Sequence, residues 1–463
     1  MRNNIEATET PAVTLRRIES SLDLLRLHER NPERYPHLLE SAAPGQQANF
    51  DILFAFPEHS LKLTADMQLA GSEGDNRDFL AALDKAWQTE SMGQSETHTT
   101  LPFRGGWFLY LGYELAAQIE PRLQLPASTT QQPIAIATRF RSAVIRDHAE
   151  KCLWLLTEKG TESRLDSLQA DVEKALSQPE PSESLLPNVS LTEDPPEQYL
   201  AWVLRTLAYI RDGDVFQANL ARTWRVKFSA DVVPSQIYRR LRRHNPGPFN
   251  GLASWTDHAV ISSSPERLVR VRNGLVDTRP IAGTRPRGVG DDADTALSRE
   301  LLAHPKERAE HIMLIDLERN DLGRVCEPGT VQVNELMVLE SYAHVHHIVS
   351  NVQGRLRTGT TPGQVIRALF PGGTITGCPK VRCMEIIAEL EGRSRGAYTG
   401  SMGYLNRDGD MDLNILIRTL EQQGRVVELR AGAGIVADSD PERELAETRA
   451  KARGLLLALG LDV

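Results

Sequence analysis

Two short stretches of the sequence each place a pair of glutamates three residues apart on a candidate helix. Glu307 and Glu310 lie in KERAEHIMLIDLERN, and Glu444 and Glu447 lie in PERELAETRAKAR. Residues at i and i+3 share a helix face, so two such helices facing each other would bring four carboxylates to one point. Mg²⁺ is commonly held by one or two carboxylates with substrate oxygens and water. The spacing therefore indicates a metal that bridges to an anionic substrate, or else a solvated face paired with nearby Lys and Arg.

Two glycine-rich segments could bind an anion or a flat ligand through the backbone. PGGTITGCPKVRCMEII carries Thr374 into a predicted helix start, where N–H groups and hydroxyls suit phosphate or carboxylate, although the Walker A order is missing. ELRAGAGIVADSDPE places Gly432, Ala433 and Gly434 at a strand end, where small residues allow close backbone hydrogen bonds. Capped turns without a ligand remain the alternative for both segments.

Glu266 is a candidate general acid. It follows SSSP, and a hairpin should bring it close to the PIAGT turn, so a carboxyl group held on a sheet could donate a proton. A surface glutamate is the alternative. In HVHHIV, alternation puts His344 and His346 on one face and His347 on the other, but no third ligand accompanies the pair, so zinc is not predicted.

Periodicity, proline and glycine indicate the elements that must position these groups. VFQANLARTWRVKF alternates like a long half-buried strand with Phe216 on its buried face, and Asn273-Gly274 predicts a hairpin, with a second hairpin at 407–409. Strands joined by hairpins, with helices grouped between them, indicate an α+β fold with antiparallel sheets. Helices are predicted, each with a proline at its first turn, over 306–319, 380–390 and 442–457.

Composition divides the chain and limits its partners. LSQPEPSESLLPNVSLTEDPPEQ is rich in Pro, Ser and acids and predicts an exposed connector over 176–198, between an N-terminal region (1–175) and the region 199–463. The net charge of −9 argues against nucleic-acid binding, and neither a membrane-spanning run nor a signal peptide is visible. Four cysteines without zinc-ligand spacing are typical of ordinary thiols in a reducing compartment. We therefore expect a cytoplasmic protein without membrane or nucleic-acid partners.

Many ordered segments together resemble the chorismate-utilising family, which includes anthranilate synthase component I, aminodeoxychorismate (para-aminobenzoate) synthase component I, and the isochorismate and salicylate synthases. The resemblance is dense over 195–458 and looser over the first 150 residues. It implies an anthranilate synthase component I-like fold with large antiparallel sheets and outer helices, in which the N-terminal and catalytic regions share one intertwined sandwich. The segments that carry it are FQANLAR, SSSPERL, RPIAGTRPRG, KERAEHIMLIDLERNDLGRV, HVHHIVS, FPGGTITGCPKVRCMEII, YTGSMGYL, ILIRTL, GAGIVADS and ELAETRAKA.

The resemblance also implies a role for individual residues. Glu310 and Glu447 would hold Mg²⁺, with Glu307 and Glu444 beside them, and Glu266 would be the general acid for the departing C4 hydroxyl of chorismate. The other residues that it implies are Arg418, Tyr398 and the Gly432, Ala433 and Gly434 backbone at a substrate carboxylate, Thr374 and Lys451 lining the site, and His347 near the ring.

Three positions bear on the branch of the family. The first is Gln217: the resemblance implies that the water-using isochorismate and salicylate branch has a lysine at this position, which acts as the base for water. A neutral amide cannot deprotonate water, so we expect ammonia as the nucleophile. Asn219 in FQANLA, together with FDILFAFP, FPGGTITG and HVHHIVS, favours the para-aminobenzoate branch. Ala282 in PIAGT, where that branch often has a lysine that attacks chorismate, and LLES, which resembles a tryptophan-sensing segment, favour the anthranilate branch.

We therefore predict aminodeoxychorismate synthase component I, which makes 4-amino-4-deoxychorismate from chorismate and ammonia for para-aminobenzoate and folate synthesis. Anthranilate synthase component I is the alternative. No cysteine has the context of a glutaminase nucleophile, so a separate glutamine amidotransferase subunit should supply ammonia. A non-catalytic chorismate-binding protein is disfavoured because Glu266, Glu310, Glu447 and Lys451 are all present.

Overall fold

Two large antiparallel sheets, stacked face to face with helices on their outer faces, form the protein. The computed structural model describes residues 7–10, 12–41, 49–71, 77–93, 99–128, 130–180, 185–286, 299, 305–341 and 345–462. This arrangement confirms the predicted α+β class.

The strands are β1 (Ala7–Glu9), β2 (Val13–Ile18), β3 (His37–Glu40), β4 (Phe50–Ala55), β5 (Ser60–Leu63), β6 (Leu69–Ala70), β7 (Gly106–Leu111), β8 (Ala135–Phe140), β9 (Ser142–Asp147), β10 (Cys152–Glu158), β11 (Val189–Glu193), β12 (Gln217–Phe228), β13 (Phe249–Ser254), β14 (His258–Ser264), β15 (Arg267–Arg272), β16 (Leu275–Thr278), β17 (Ile281–Pro286), β18 (Gln332–Ser341), β19 (Val345–Arg355), β20 (Gly377–Cys378), β21 (Ser401–Asn406), β22 (Met411–Asn414), β23 (Thr419–Gln423) and β24 (Val426–Ile435). The helices are α1 (Leu25–Arg30), α2 (Phe79–Glu90), α3 (Ala116–Ile119), α4 (Ser163–Leu176), α5 (Pro196–Arg211), α6 (Pro234–His244), α7 (Pro305–Gly323), α8 (Pro362–Leu369), α9 (Lys380–Glu391) and α10 (Pro441–Ala458). Short 3₁₀ turns occur at Tyr113–Leu115 and Gly373–Ile375.

Both sheets combine strands from the two ends of the chain. The first sheet has the order β1-β2-β10-β9-β4-β3-β13-β14-β23-β24-β12-β11, with β20 also paired to β12. The second has the order β17-β19-β16-β15-β22-β21-β7-β8-β5-β6, with β18 also paired to β19. The N-terminal strands therefore join the C-terminal ones at β3–β13 in the first sheet and at β7–β21 in the second.

Apolar side chains fill the three spaces between these four layers. Phe54, Phe108 and Val260 belong to the cluster between the sheets. Leu165 and Leu455 belong to a cluster between the first sheet and its helices, and a third cluster lies between the second sheet and α2, α7 and α8. Burial of these faces is the main driving force that holds the layers together.

Local signals in the sequence explain several boundaries. The helices predicted from 306, 380 and 442 correspond to α7, α9 and α10, because proline at the first turn is preorganised for a helix and needs no N–H partner. The β15–β16 turn places Asn273 and Gly274 at φ of 53° and 73°, the left-handed geometry that a two-residue hairpin needs.

Two expectations about the middle of the chain are wrong. Part of the predicted connector forms β11, which pairs with β12 while Val189 and Leu191 pack against the core; alternating apolar residues here cover an otherwise open strand edge. Phe216 is 68% exposed and precedes β12, whose residues from Gln217 to Trp224 are buried on both faces because neighbours cover the strand on all sides. No helix in the described part of the chain is long and apolar enough to cross a membrane.

Candidate active site

The candidate site is built on the adjacent strands β12 and β24. Ala218 and Leu220 pack on one face against α5 and α9. Because side chains alternate along a strand, Gln217 and Asn219 lie on the opposite face. In register, Asn219 is opposite Gly434, so the glycines of β24 share this face with the two amides.

The missing side chains of Gly432 and Gly434 allow polar groups to lie directly on β24. A Cβ atom at Gly432 would be 2.8 Å from both Asn219 Oδ1 and Tyr398 Oη. A Cβ atom at Gly434 would collide with the Gln217 amide. At Gly432 the nearest atom is the main-chain oxygen of Leu220, at 2.5 Å, so close approach of the backbone rather than a special φ angle favours glycine there. At Gly434 the nearest atom is the end of the flexible Gln217 side chain, which a larger residue would displace.

Three buried polar atoms at this site have no hydrogen-bond partner in the described part of the chain: Gln217 Oε1, Asn219 Oδ1 and Thr374 Oγ1. Native proteins rarely leave buried polar atoms unsatisfied. Asn219 also links the strand to the Thr374 turn, since its main-chain N–H donates to Thr376 O at 2.9 Å. The three atoms thus mark a place where a polar ligand would complete the hydrogen bonding.

Glu266 has the environment of a general acid. It follows β14 and is only 5% exposed, and burial raises the pKa of its carboxyl to about 7. The Ile281 N–H, the Thr374 hydroxyl and the charge of Lys451 oppose this rise, although the hydroxyl is not aligned for a regular hydrogen bond. The predicted proximity of Glu266 to the PIAGT segment is confirmed at Ile281.

Lys451 connects helix α10 to the glycine strand. Its Nζ donates to Gly432 O at 2.9 Å and lies 2.6 Å from Glu447 Oε1. Arg418 Nη1 in turn donates to Lys451 O at 2.7 Å. The sequence-predicted residues Lys451, Glu447, Gly432 and Arg418 are therefore brought together.

Arg418 and Tyr398 supply the cationic and hydroxyl groups of the same region. Burial lowers the pKa of the Arg418 guanidinium, while the phenol of Tyr398 and the carboxylate of Glu447 act in the opposite direction. Burial raises the pKa of Tyr398 to about 12, so its hydroxyl stays protonated. A forked guanidinium beside a hydroxyl can bind a carboxylate in a confined site.

The carboxylates expected to hold Mg²⁺ come from α7 and α10. Glu310 is half-buried on α7, whose Leu317 and Glu318 contact the turn that carries Thr374, and Glu447 lies beside Lys451. Among the described residues, no three His, Cys, Asp or Glu side chains converge as a metal site. Two carboxylates fit Mg²⁺ only if substrate and water complete the coordination.

Sequence reasoning missed a buried ion pair that supports the site. Arg395 Nη2 is 2.5 Å from Glu391 Oε1, and it also donates to Asn219 O at 2.8 Å. Its guanidinium lies 5.5 Å from the centre of the Tyr398 ring. The i, i+4 spacing of Glu391 and Arg395 at the end of a predicted helix was the available signal.

A second missed feature is a buried carboxyl beside Glu266. Burial and the nearby Asp321 raise the pKa of Glu318 to about 8, and Glu266 acts in the same direction. Asp321 itself pairs with Lys380 at 2.5 Å. Glu318 is therefore a second carboxyl that holds a proton near neutral pH.

The remaining predicted positions are less informative. His347 is buried on β19 in register with Thr284 of β17. Glu444 lies close enough to Tyr199 to raise the pKa of that phenol. The side chains of Glu307, Ala282 and His346, and all of His344, lie outside the described part of the structure.

A separate cavity of about 230 Å³ lies where the two sheets meet. Leu39, Glu40 and Ser41 of the LLES segment line it, together with Asn250 and Arg267. Burial raises the pKa of Glu40 to about 7. This segment is thus part of a cavity distinct from the β12–β24 face.

Comparisons with other proteins identify a family for the chain. The pattern of the family described as "chorismate binding enzyme" matches residues 35–457. The chain is 47% identical over 363 residues to an anthranilate synthase component I-like protein of Synechocystis sp., covering 78% of this chain and 73% of the relative. It is 44% identical over 383 residues to aminodeoxychorismate synthase component 1 of Bacillus subtilis, covering 80% of each. The crystal structure of anthranilate synthase component I from Streptococcus pneumoniae matches with a TM-score of 0.78 and 33% identity, covering 89% of this chain and 93% of that one.

Proposed function

Because the chain belongs to the chorismate-binding enzyme family, we propose that it aminates chorismate with ammonia and releases 4-amino-4-deoxychorismate, the precursor of para-aminobenzoate. In this reaction the amino group replaces the C4 hydroxyl, which leaves as water. The enolpyruvyl group stays on the ring. Retention of that group distinguishes this product from anthranilate.

The choice of ammonia depends on Gln217. This amide is buried on the face of β12 that carries the site. By the family resemblance, the water-using branch has a lysine at this position. An amide is neutral at all relevant pH values and cannot act as the base that water requires. Ammonia is a stronger nucleophile than water and can attack as the neutral molecule, without prior deprotonation. The proton that the new ammonium group then loses balances the one that the general acid gives to the departing hydroxyl.

Glu266 would protonate the departing hydroxyl. Its raised pKa keeps a large fraction of the carboxyl protonated at neutral pH, which a general acid requires. Arg418 and Tyr398 would bind one substrate carboxylate, and the backbone of Gly432–Gly434 would line the same pocket. Glu310 and Glu447 would hold Mg²⁺, which would neutralise negative charge on the substrate.

The para-aminobenzoate branch is supported by Asn219 and by the FPGGTITG and HVHHIVS segments. The relative in Bacillus subtilis, named aminodeoxychorismate synthase component 1, also supports it. Anthranilate formation is the second candidate. It is favoured by Ala282, by the relatives named anthranilate synthase, and by the LLES segment that lines the cavity between the sheets.

A glutamine amidotransferase subunit would supply ammonia in the cell. Support for this comes from the "component 1" names of the relatives and from the four cysteines, none of which has a glutaminase context. Burial raises the pKa of Cys383, which disfavours a reactive thiolate. Ammonium salts should replace the subunit in vitro.

Product analysis tests the proposal directly. The purified chain is incubated with chorismate, MgCl₂ and ammonium chloride, and products are identified by mass, by anthranilate fluorescence and by enzymatic pyruvate assay. An aminated product that retains the enolpyruvyl group is expected. Equal amounts of anthranilate and pyruvate would establish the second candidate, and isochorismate or no product would refute amination. Glu266→Gln controls for contaminating enzymes.

A further inference from the structure

We propose that Asn219, together with Gln217, forms the binding site for the attacking ammonia, with the two amide oxygens accepting its N–H groups. This inference rests on the proposed function and names a residue for the nucleophile. The two side chains project from the same face of β12, and their Cα atoms are about 7 Å apart at strand spacing. Both side chains are more than nine-tenths buried.

The two amide oxygens accept no hydrogen bond from the described part of the protein. Gln217 Oε1 and Asn219 Oδ1 are buried without a hydrogen-bond partner in the described residues. Neighbouring cationic donors are already engaged: Lys451 Nζ contacts Gly432 O and Glu447, and Arg395 binds the main-chain carbonyl of Asn219 rather than its side chain. Donors for these two oxygens can therefore come from a small polar molecule bound at this face.

Chorismate alone does not have enough donors. Its carboxylates and ether oxygen only accept hydrogen bonds, and its single hydroxyl is the one donor. The chorismate hydroxyl can therefore donate to at most one of the two amide oxygens, and the other is available to a second small donor molecule. Ammonia has three N–H groups and one lone pair, so it has enough donors for both amide oxygens and a lone pair left for the ring.

The neutrality of the two amides also matters for reactivity. A carboxylate at this point would favour the ammonium ion, which has no lone pair. An amide oxygen accepts the same hydrogen bond without a full negative charge. The pair of amides is therefore suited to bind the free base.

Two variants of Asn219 separate these effects. Asn219→Leu keeps the size but removes the acceptor, so the KM for ammonia should rise about threefold to tenfold, the loss of one net hydrogen bond, while the KM for chorismate changes less than about twofold. Asn219→Asp keeps the acceptor and adds charge, so kcat should fall because ammonium is favoured. Asn351→Leu is the matched control, since Asn351 is a buried amide on β19 that donates to Asn334.

The kinetic pattern decides between the possible roles. Rates are measured with ammonium chloride at fixed pH, and folding is checked by circular dichroism. A raised KM for chorismate with an unchanged KM for ammonia in Asn219→Leu would overturn the proposal, because the amide would then hold the substrate hydroxyl. Wild-type kcat and ammonia KM in Asn219→Asp would overturn it as well, even if Asn219→Leu does not fold. Absence of any aminated product from the wild type would instead refute the proposed function.

Discussion

The pH dependence of turnover should report on Glu266. Burial moves the pKa of this carboxyl from 4.5 to about 7, which corresponds to roughly 3 kcal/mol of disfavour for its charged form. A general acid must be protonated, so kcat/KM for chorismate, which reports the free enzyme, should be flat below pH 7 and fall about tenfold for each pH unit above it. Glu318 holds a proton in the same pH range, so the fall of the rate at alkaline pH (the alkaline limb) contains contributions from both Glu266 and Glu318.

The assay must separate the enzyme's titration from that of ammonium. Initial rates are therefore measured between pH 6 and 9 at limiting chorismate, to obtain kcat/KM, and at a fixed concentration of ammonia expressed as the free base. Glu266→Gln should lower kcat by about 100-fold or more and abolish the alkaline limb. Thr374→Val should move the limb to higher pH, because the Thr374 hydroxyl lowers the pKa of Glu266.

Stability should follow the same titration with a defined sign. The unfolded chain releases the Glu266 proton near pH 4.5 and the folded chain only near pH 7, so the free energy of unfolding should fall as pH rises through this window. Glu266→Gln should remove this contribution in denaturant titrations. A rate that stays constant from pH 6 to 9, or a limb that survives in Glu266→Gln, would refute the assignment of the acid.

Four further predictions address the metal, the substrate, the nucleophile and the scaffold. Glu310→Gln and Glu447→Gln should each reduce turnover by about 100-fold at limiting Mg²⁺, with partial recovery in excess Mg²⁺. If turnover depended on Mg²⁺ concentration in the same way in the variants and the wild type, the metal site would be contradicted. Arg418→Lys should raise the chorismate KM about tenfold, and unchanged kinetics would place this residue outside the site. Gln217→Lys should produce detectable isochorismate by mass spectrometry, and its absence would argue against this position as the selector of the nucleophile. Glu391→Gln should destabilise the fold by about 3–5 kcal/mol in urea unfolding because it leaves a buried arginine unpaired, and a loss below 1 kcal/mol would show that the pair is dispensable.

The sequence predicted elements whose signals are local. Proline at the first turn located α7, α9 and α10, and Asn273-Gly274 located a hairpin, because backbone geometry at these residues is decided by the residues themselves. A functional role for the site glutamates and the glycines of β24 could be predicted only from the ordered family motifs. Pairs of acidic residues three positions apart also occur on ordinary helix surfaces, and Gly-x-Gly also occurs in ordinary turns.

The features that sequence did not predict depend on distant neighbours. β12 was expected to be half-buried along its length, but Gln217–Trp224 are covered on both faces and only its end alternates, with Arg225 and Lys227 exposed. Alternation along one strand does not reveal which layers cover it. The raised pKa of Glu266 comes from burial, and the group that lies against Gly434 is the side-chain amide of Gln217, more than two hundred positions away. Such properties emerge only when the layers are assembled.

The two junctions where early strands meet late strands have a consequence for how the polypeptide reaches its native state. While the chain is still being synthesised, β3 and β7 have no partners on one side, because β13 and β21 are added later. Unpaired strand edges invite association with other chains, so the nascent protein is exposed to aggregation until both junctions close. Cleavage between 181 and 184 should yield fragments that remain together, and separately produced halves should regain structure only after they are mixed. Fragment complementation would therefore measure the strength of these two junctions directly.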